Sequence, residues 1–114
     1  MKQHQMNLNP APFEMIKSGE KTIELRLNDE RRQSIAVGDV IEFTHTESGE
    51  ELRARVLMLH RFDSFKELYA ALPLLKCGYT EEDVADASPE DMDVYYSKER
   101  QAAYGVLGIE IEVV

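Results

Sequence analysis

The chain has 114 residues, 43% of them hydrophobic and 31% charged, and its 22 acidic side chains outnumber 13 basic ones for a net charge of −9. That length supports one domain with a modest core and excludes two, and the acidic balance excludes a general-purpose nucleic-acid coat. No run approaches the roughly 20 apolar residues needed to cross a bilayer, and a single cysteine, Cys77, excludes an intrachain disulfide.

The first residues, Met1-Lys2-Gln3-His4-Gln5, are polar with no apolar signal core behind them. With the lone cysteine, this gives the expectation of a cytoplasmic protein that does not engage a membrane. Asn9-Pro10-Ala11-Pro12 opens a short helix carrying Phe13 and Ile16, which Ser18-Gly19 stops. Proline in the first turn and glycine just past the end are the expected punctuation.

The run that follows, Gly19-Glu20-Lys21-Thr22-Ile23-Glu24-Leu25-Arg26, is the most informative in the chain. As a strand over 21–27 it points Ile23, Leu25 and Leu27 to one face and Thr22, Glu24, Arg26 and Asn28 to the other. The apolar face gives a reason for burial. The other face then mounts an acid, a base and neutral hydrogen-bonding groups on a rigid element, as a polar site requires. The ordinary alternative is a solvated sheet face, on which a Glu24–Arg26 pair contributes under about 1 kcal/mol.

Asn28 to Ser34 reads as a polar loop exposing Arg31 and Arg32. Gly38-Asp39 turns the chain into a strand, Val40-Ile41-Glu42-Phe43-Thr44, and Thr46 to Glu51 forms a hairpin loop. The returning strand, Leu52 to Phe62, is mixed on both faces: Leu52, Ala54, Val56 and Met58 alternate with Arg53, Arg55, Leu57 and Leu59. Ser64-Phe65-Lys66-Glu67 is a capping-box pattern, and Phe65, Leu68, Tyr69 and Leu72 share one helical face until Pro73 ends the helix. Thr80 and Ser88 read as further helix caps, each followed by acids that suit the positive end of a helix dipole. Leu107, Ile109, Ile111 and Val113 alternate with Gly108, Glu110 and Glu112 in a closing strand.

Helix, three or four strands, helices and a returning strand make an α+β fold: a small, mostly antiparallel barrel with helices packed on it. Charge divides unevenly along it. Residues 1–62 hold 9 Lys/Arg and 10 Asp/Glu, whereas residues 63–114 hold 4 and 12. A local positive patch among Arg26, Arg31, Arg32, Arg53, Arg55 and Arg61 is one arrangement and dispersal the other.

Several pieces, taken in order, resemble the ASCH domain, a relative of the PUA domain. Gly19-x-Lys21-Thr22-x-Glu24-x-Arg26 looks like its signature, preceded by Pro12-Phe13-x-x-Ile16-x-Ser18-Gly19 and followed by Ile35-x-x-Gly38-Asp39-x-Ile41-x-Phe43. Phe62-x-Ser64-Phe65-x-Glu67-Leu68, Tyr95-Tyr96-Ser97-Lys98-Glu99 and Tyr104-Gly105-Val106-Leu107-Gly108-Ile109-Glu110-Ile111 complete the set, which spans nearly the whole chain as a single domain. No one piece is specific; the ordered set is.

The resemblance implies a PUA-like barrel whose signature strand lines a cleft for RNA or a nucleotide-like ligand. Some branches of the family are enzymes, acting on acetylated cytidine derivatives or cutting single-stranded RNA. In the amidohydrolase branch the signature Lys is the base for a Thr nucleophile. Lys21 matches that base and Thr22 the neighbouring Thr, but Glu24 stands where the nucleophile belongs, and it has no hydroxyl to acylate. The departure weighs against that chemistry.

Two functions remain in competition. In a binding module, Lys21 and Arg26 meet phosphate, Glu24 accepts from a base amine or ribose hydroxyl, Thr22 lies on the same face, and Tyr95, Tyr96 or Tyr104 offers a stacking surface. Tyrosines near a helix end are also ordinary core filler. In a hydrolase on single-stranded RNA or a modified nucleoside, Lys21 and Glu24 are the catalytic pair, and both need a partly dry cleft to perturb them. His4, His45 and His60 lack zinc-ligand spacing, so no metal is expected, and neither is a cofactor. Cys77 has no activating neighbour and reads as an inert thiol. Oligomeric state is not legible.

Overall fold

A computed structural model describes all residues from Met1 to Val114. In chain order the elements are β1 (Gln3–Leu8), α1 (Pro10–Ser18), β2 (Ile23–Leu27), α2 (Glu30–Gln33), β3 (Val40–His45), β4 (Glu51–Phe62) and α3 (Phe65–Ala71). Three short 3-10 turns, Leu74–Lys76, Val84–Asp86 and Pro89–Val94, lead to α4 (Lys98–Tyr104) and β5 (Val106–Val113). No helix is long and apolar enough to cross a membrane.

The strands form one curled, half-barrel sheet in the order β1-β3-β4-β5-β2. Pairing is antiparallel except between β1 and β3, which run parallel, so the mostly antiparallel barrel expected from the sequence is found, as a mixed sheet with one parallel pair. The parallel pair follows from β1, a strand that the sequence does not announce. Gln3-His4-Gln5-Met6-Asn7-Leu8 buries only Met6 and Leu8, and its Gln and Asn residues are poor strand formers. Long-range pairing to β3 makes it a strand.

Both faces of the sheet are covered. On one, Phe13 and Ile16 of α1 pack with Ile41, Phe43, Val56, Leu107, Ile109 and other residues into a 12-residue core. On the other, α3 brings Phe65 and Leu68 against Ile23, Leu25, Cys77 and Val106. Each fully buried side chain of this size contributes about 1.5–3 kcal/mol. The apparent two-sidedness of β4 resolves through a register shift between Val56 and Met58. Ala54 and Val56 face the larger core before it, and Leu59, opposite Ile109, packs on the same core after it. An extra residue at Leu57 flips the alternation, as a β-bulge does.

Ser64 caps α3 as expected, accepting from the Glu67 N–H at 3.2 Å. Ser88 also caps, with a reciprocal contact from Asp91, but starts a 3-10 turn rather than an α-helix. Thr80 caps no helix: its own N–H donates to Asp83 in a turn. The 28–34 loop holds one helical turn, capped by Asp29.

Gly108 sets how closely α3 approaches. A Cβ there would stand 2.8 Å from Leu72 Cδ1 and 3.3 Å from Ile23 Cγ2. Gly108→Ala is expected to cost about 1–3 kcal/mol through overpacking, read as a lower urea midpoint with an unchanged slope.

β1 and β2 are the two edges of the open sheet, and arginines bridge the seam between them. The Lys2 and Leu8 carbonyls accept from Val40 and Thr46 on the β3 side. The intervening odd-numbered carbonyls face outward, where Gln5 accepts from Arg31 Nη2 at 3.0 Å and Asn7 from Arg26 Nη2 at 2.9 Å. Two carbonyls of the β1 edge, which a bare edge strand would leave free, are thereby satisfied.

Candidate functional site

Glu24 and Arg26 lie opposite Ile109 and Leu107 in the β2–β5 ladder. Directly opposed residues share a face, so these charges point to the side of the larger core, not to solvent. Ile23 and Leu25 face α3 instead. The strand is therefore apolar on its outer, helix-covered face and charged on the inner one, and Glu24 is only 4% exposed. The solvated-face alternative does not hold.

Strict strand alternation would put Lys21 with Ile23, away from Glu24. The chain is not yet extended at Lys21, since β2 begins at Ile23. Lys21 Nζ accordingly reaches Glu24 Oε1 at 2.8 Å, while Arg26 Nε holds Glu24 Oε2 at 2.7 Å. Both carboxylate oxygens are engaged. The stem of Lys21 lies against Gly78, where a Cβ would come within 3.3 Å of Lys21 Cδ and where φ is +111°. Only glycine suits both the conformation and the close approach.

Burial pushes the Glu24 carboxyl up, but the charges and hydrogen bonds of Lys21 and Arg26 together outweigh it and hold the carboxyl below its ordinary value. Burial likewise pulls the Arg26 guanidinium down; Glu24, then Tyr96, outweigh that and keep it firmly charged. The row is a locked ion triad, with two cations on one anion.

The triad forms the floor of a cleft of about 600 Å³ that opens along the free edge of β2. The end of β1 and the start of α1 form one wall, with Asn7, Asn9 and Met15. The segment from Cys77 to Tyr96 forms the other, with Tyr79, Asp91, Tyr95 and Tyr96, and Tyr69 of α3 joins it. Tyr69 and Tyr79 hydroxyls meet at 2.7 Å, and Tyr79 donates to Asp91 Oδ2 at 2.7 Å. Burial, then these two bonds, push the Tyr79 hydroxyl far above its ordinary value, so it stays protonated. The Tyr96 ring stacks on Phe65 with centroids 6.4 Å apart and planes at 18°, whereas Tyr95 is 65% exposed at the rim.

Of the residues singled out in the sequence, Lys21, Glu24, Arg26, Tyr95 and Tyr96 meet in this cleft. Thr22 and Tyr104 do not. Thr22 lies outside the strand, its backbone bonded to Lys76 and Ile111, and it lines a smaller depression with Lys17 and Glu110. Tyr104 closes α4 under the guanidinium of Arg100, 6.0 Å from its ring centroid. Burial pushes the Cys77 thiol up to about 11, with Lys21 opposing and Glu24 adding, so it is inert at neutral pH. No group of three or more His, Cys, Asp or Glu is placed to hold a metal ion.

Sequence reasoning missed Tyr69, Tyr79, Gly78 and Asn7 as cleft residues. Tyr69 looks like one more member of an apolar helix face. Gly78-Tyr79, beside a 3-10 turn with no period to follow, gives only the glycine as a signal.

The model of the ASCH domain family matches residues 6–114. Among solved structures, the hypothetical protein PH0355 is 34% identical, with a TM-score of 0.81 over 100% of both chains. Protein PF0455 from Pyrococcus furiosus is 33% identical, with a TM-score of 0.75 over 98% of this chain and 97% of that one. ASCH from Zymomonas mobilis shares the fold at 17% identity and a TM-score of 0.65, over 97% of this chain and 67% of that one. No curated protein matches the chain. With a signature strand that carries its charges inward and a family match over nearly every residue, the chain belongs to the ASCH domain family.

Proposed function

We propose that the cleft binds a nucleotide, free or as one unpaired unit of single-stranded RNA, and holds it without turning it over. The observation that carries this reading is the buried Lys21–Glu24–Arg26 triad beside a wall of tyrosines, in a cleft of about 600 Å³. A cavity of that order suits a small ligand gripped by a few convergent polar groups. Two cations on one carboxylate leave a single excess positive charge, and partial exclusion of water strengthens its hold on a phosphate oxygen. Tyr95 and Tyr96 offer ring faces for the base.

Catalysis by Glu24 finds no support in this geometry. A general base works best with a pKa near the operating pH, yet Glu24 is held low and both its oxygens already accept from cations. The wall between Cys77 and Tyr96 carries seven acidic residues and no Lys or Arg. The phosphates of a longer strand would therefore leave the cleft on the side of Arg26 and Arg31, away from like charge.

Short labelled single-stranded RNA, titrated at low salt into wild type and Lys21→Ala, tests the reading by anisotropy, with RNA integrity followed on a denaturing gel. Loss of one charge-assisted contact is expected to weaken binding about tenfold to a hundredfold and leave the RNA intact. Cleavage by wild type that is lost in Lys21→Ala would establish a hydrolase instead. No binding by wild type, of RNA or of nucleoside monophosphates, would remove the proposal.

A further inference from the structure

We infer that the free edge of β2 reads the pairing edge of an unpaired nucleobase through the main chain of Leu25; this rests on the nucleotide reading above. β2 is hydrogen-bonded to β5 alone and has nothing on its other side in the sheet. Within an antiparallel strand, successive residues send their N–H and C=O groups together to alternate edges. Ile111 N–H donates to the Thr22 carbonyl at 2.9 Å, and Asn28 N–H to the Gly105 carbonyl at 3.0 Å. Both pairs continue the β2–β5 register, so the even-numbered positions are the ones that bond to β5. The N–H and C=O of Ile23, Leu25 and Leu27 consequently turn to the open edge, and none of them bonds to any segment outside the ladder.

Of these three residues, only Leu25 lines the cleft. Its side chain is packed with Phe65 and Cys77, and the residue is 7% exposed. A donor and an acceptor of one residue thus sit side by side at the cleft wall, in a residue with little exposed surface and with no partner outside the ladder. Buried backbone donors are almost always paired, so this pair calls for a ligand that supplies the complement.

An outward-facing strand residue exchanges two hydrogen bonds with a group whose own donor and acceptor are adjacent. Every nucleobase carries such a pair on its pairing edge. In uracil it is N3–H beside O4, in guanine N1–H beside O6, and in adenine and cytosine the exocyclic amine beside a ring nitrogen. Recognition by Leu25 is therefore tolerant of base identity but demands an unpaired base, since pairing occupies the same edge. Glu24 does not serve as the base reader, because Lys21 and Arg26 hold its two oxygens.

The probes are the four ribonucleoside monophosphates and 3-methyluridine monophosphate, in which a methyl group replaces the N3–H. Each is titrated calorimetrically into wild type and into a semisynthetic protein whose Leu25 amide is an ester, which deletes that N–H and weakens the Glu24 carbonyl as an acceptor toward β5, a side effect that the control ester shares at its own preceding carbonyl. An Ile23 ester is the control, since Ile23 shares the orientation but does not line the cleft. The four unmodified nucleotides are expected to bind within about threefold of one another. Methylation, and the Leu25 ester, are each expected to weaken uridine monophosphate at least about tenfold, with the Ile23 ester unchanged. Equal binding of the methylated nucleotide, or an unaffected Leu25 ester, overturns the inference and leaves the nucleotide reading standing. If no nucleotide binds wild type, both fall.

Discussion

Glu24→Ala is expected to destabilise the fold by about 3–5 kcal/mol, because it leaves Lys21 and Arg26 facing one another in a largely buried site with no counter-charge. The ladder would keep its backbone bonds, so the loss is electrostatic and its cure is specific. The double replacement Lys21→Met with Glu24→Ala removes one of the two stranded cations and is expected to recover part of the deficit, a non-additivity that urea melts of the two singles and the double will show. Additive effects would mean that the triad does not behave as one unit. The pH dependence has a definite sign. Glu24 is held below its ordinary value, so its contribution is fully present above the unfolded-state value near pH 4.3. It is lost as pH falls through the lower native value.

Asp39→Ala is expected to cost about 2–4 kcal/mol, by a different route. Asp39 is 4% exposed and its carboxylate accepts from the Lys2 N–H at 2.9 Å, the Ala36 N–H at 3.0 Å and His4 Nε2 at 2.9 Å. Truncation strands two backbone donors and a ring nitrogen, each of which needs a partner when water is excluded. Since Lys2 and His4 lie on or beside β1, the loosened element is the parallel edge strand, and amide exchange there should accelerate more than in β4 or β5. The hydrogen bond from His4, then those from the backbone, hold the Asp39 carboxyl well below its ordinary value. Wild-type stability should therefore be flat down to about pH 4 and decline below it, with a shallower acid decline in Asp39→Ala. A variant that loses stability in parallel with wild type at every acid pH would contradict this role.

The elements that could be read from the sequence are those whose signal is local. α1 carries its own proline start and glycine stop, α3 its serine cap, and β3 and β5 their alternating apolar residues. What escaped depends on distant partners. β1 is a strand because β3 lies beside it, and the bulge in β4 lets a residue pattern that looks two-faced serve a single core. The site divides in the same way. Glu24 and Arg26 share a face by strand period, but the position of Lys21 depends on the strand starting two residues later, which no pattern marks. Thr22 shares their face only if the strand period runs on past Ile23, where β2 begins. The tyrosine wall comes from a segment of 3-10 turns, held in place by the Tyr69–Tyr79–Asp91 hydroxyl chain and the stacking of Tyr96 on Phe65. Such contacts leave no period to read.

The central claim is that a nucleotide occupies the cleft along the free edge of β2. It is tested most directly by following the amide resonances of the labelled protein while uridine monophosphate is titrated in. Saturable shifts are expected, confined to residues 21–26, 77–79 and 95–96, with β3 and the outer end of β4 unmoved. Shifts that gather elsewhere, or none at millimolar nucleotide, would contradict it.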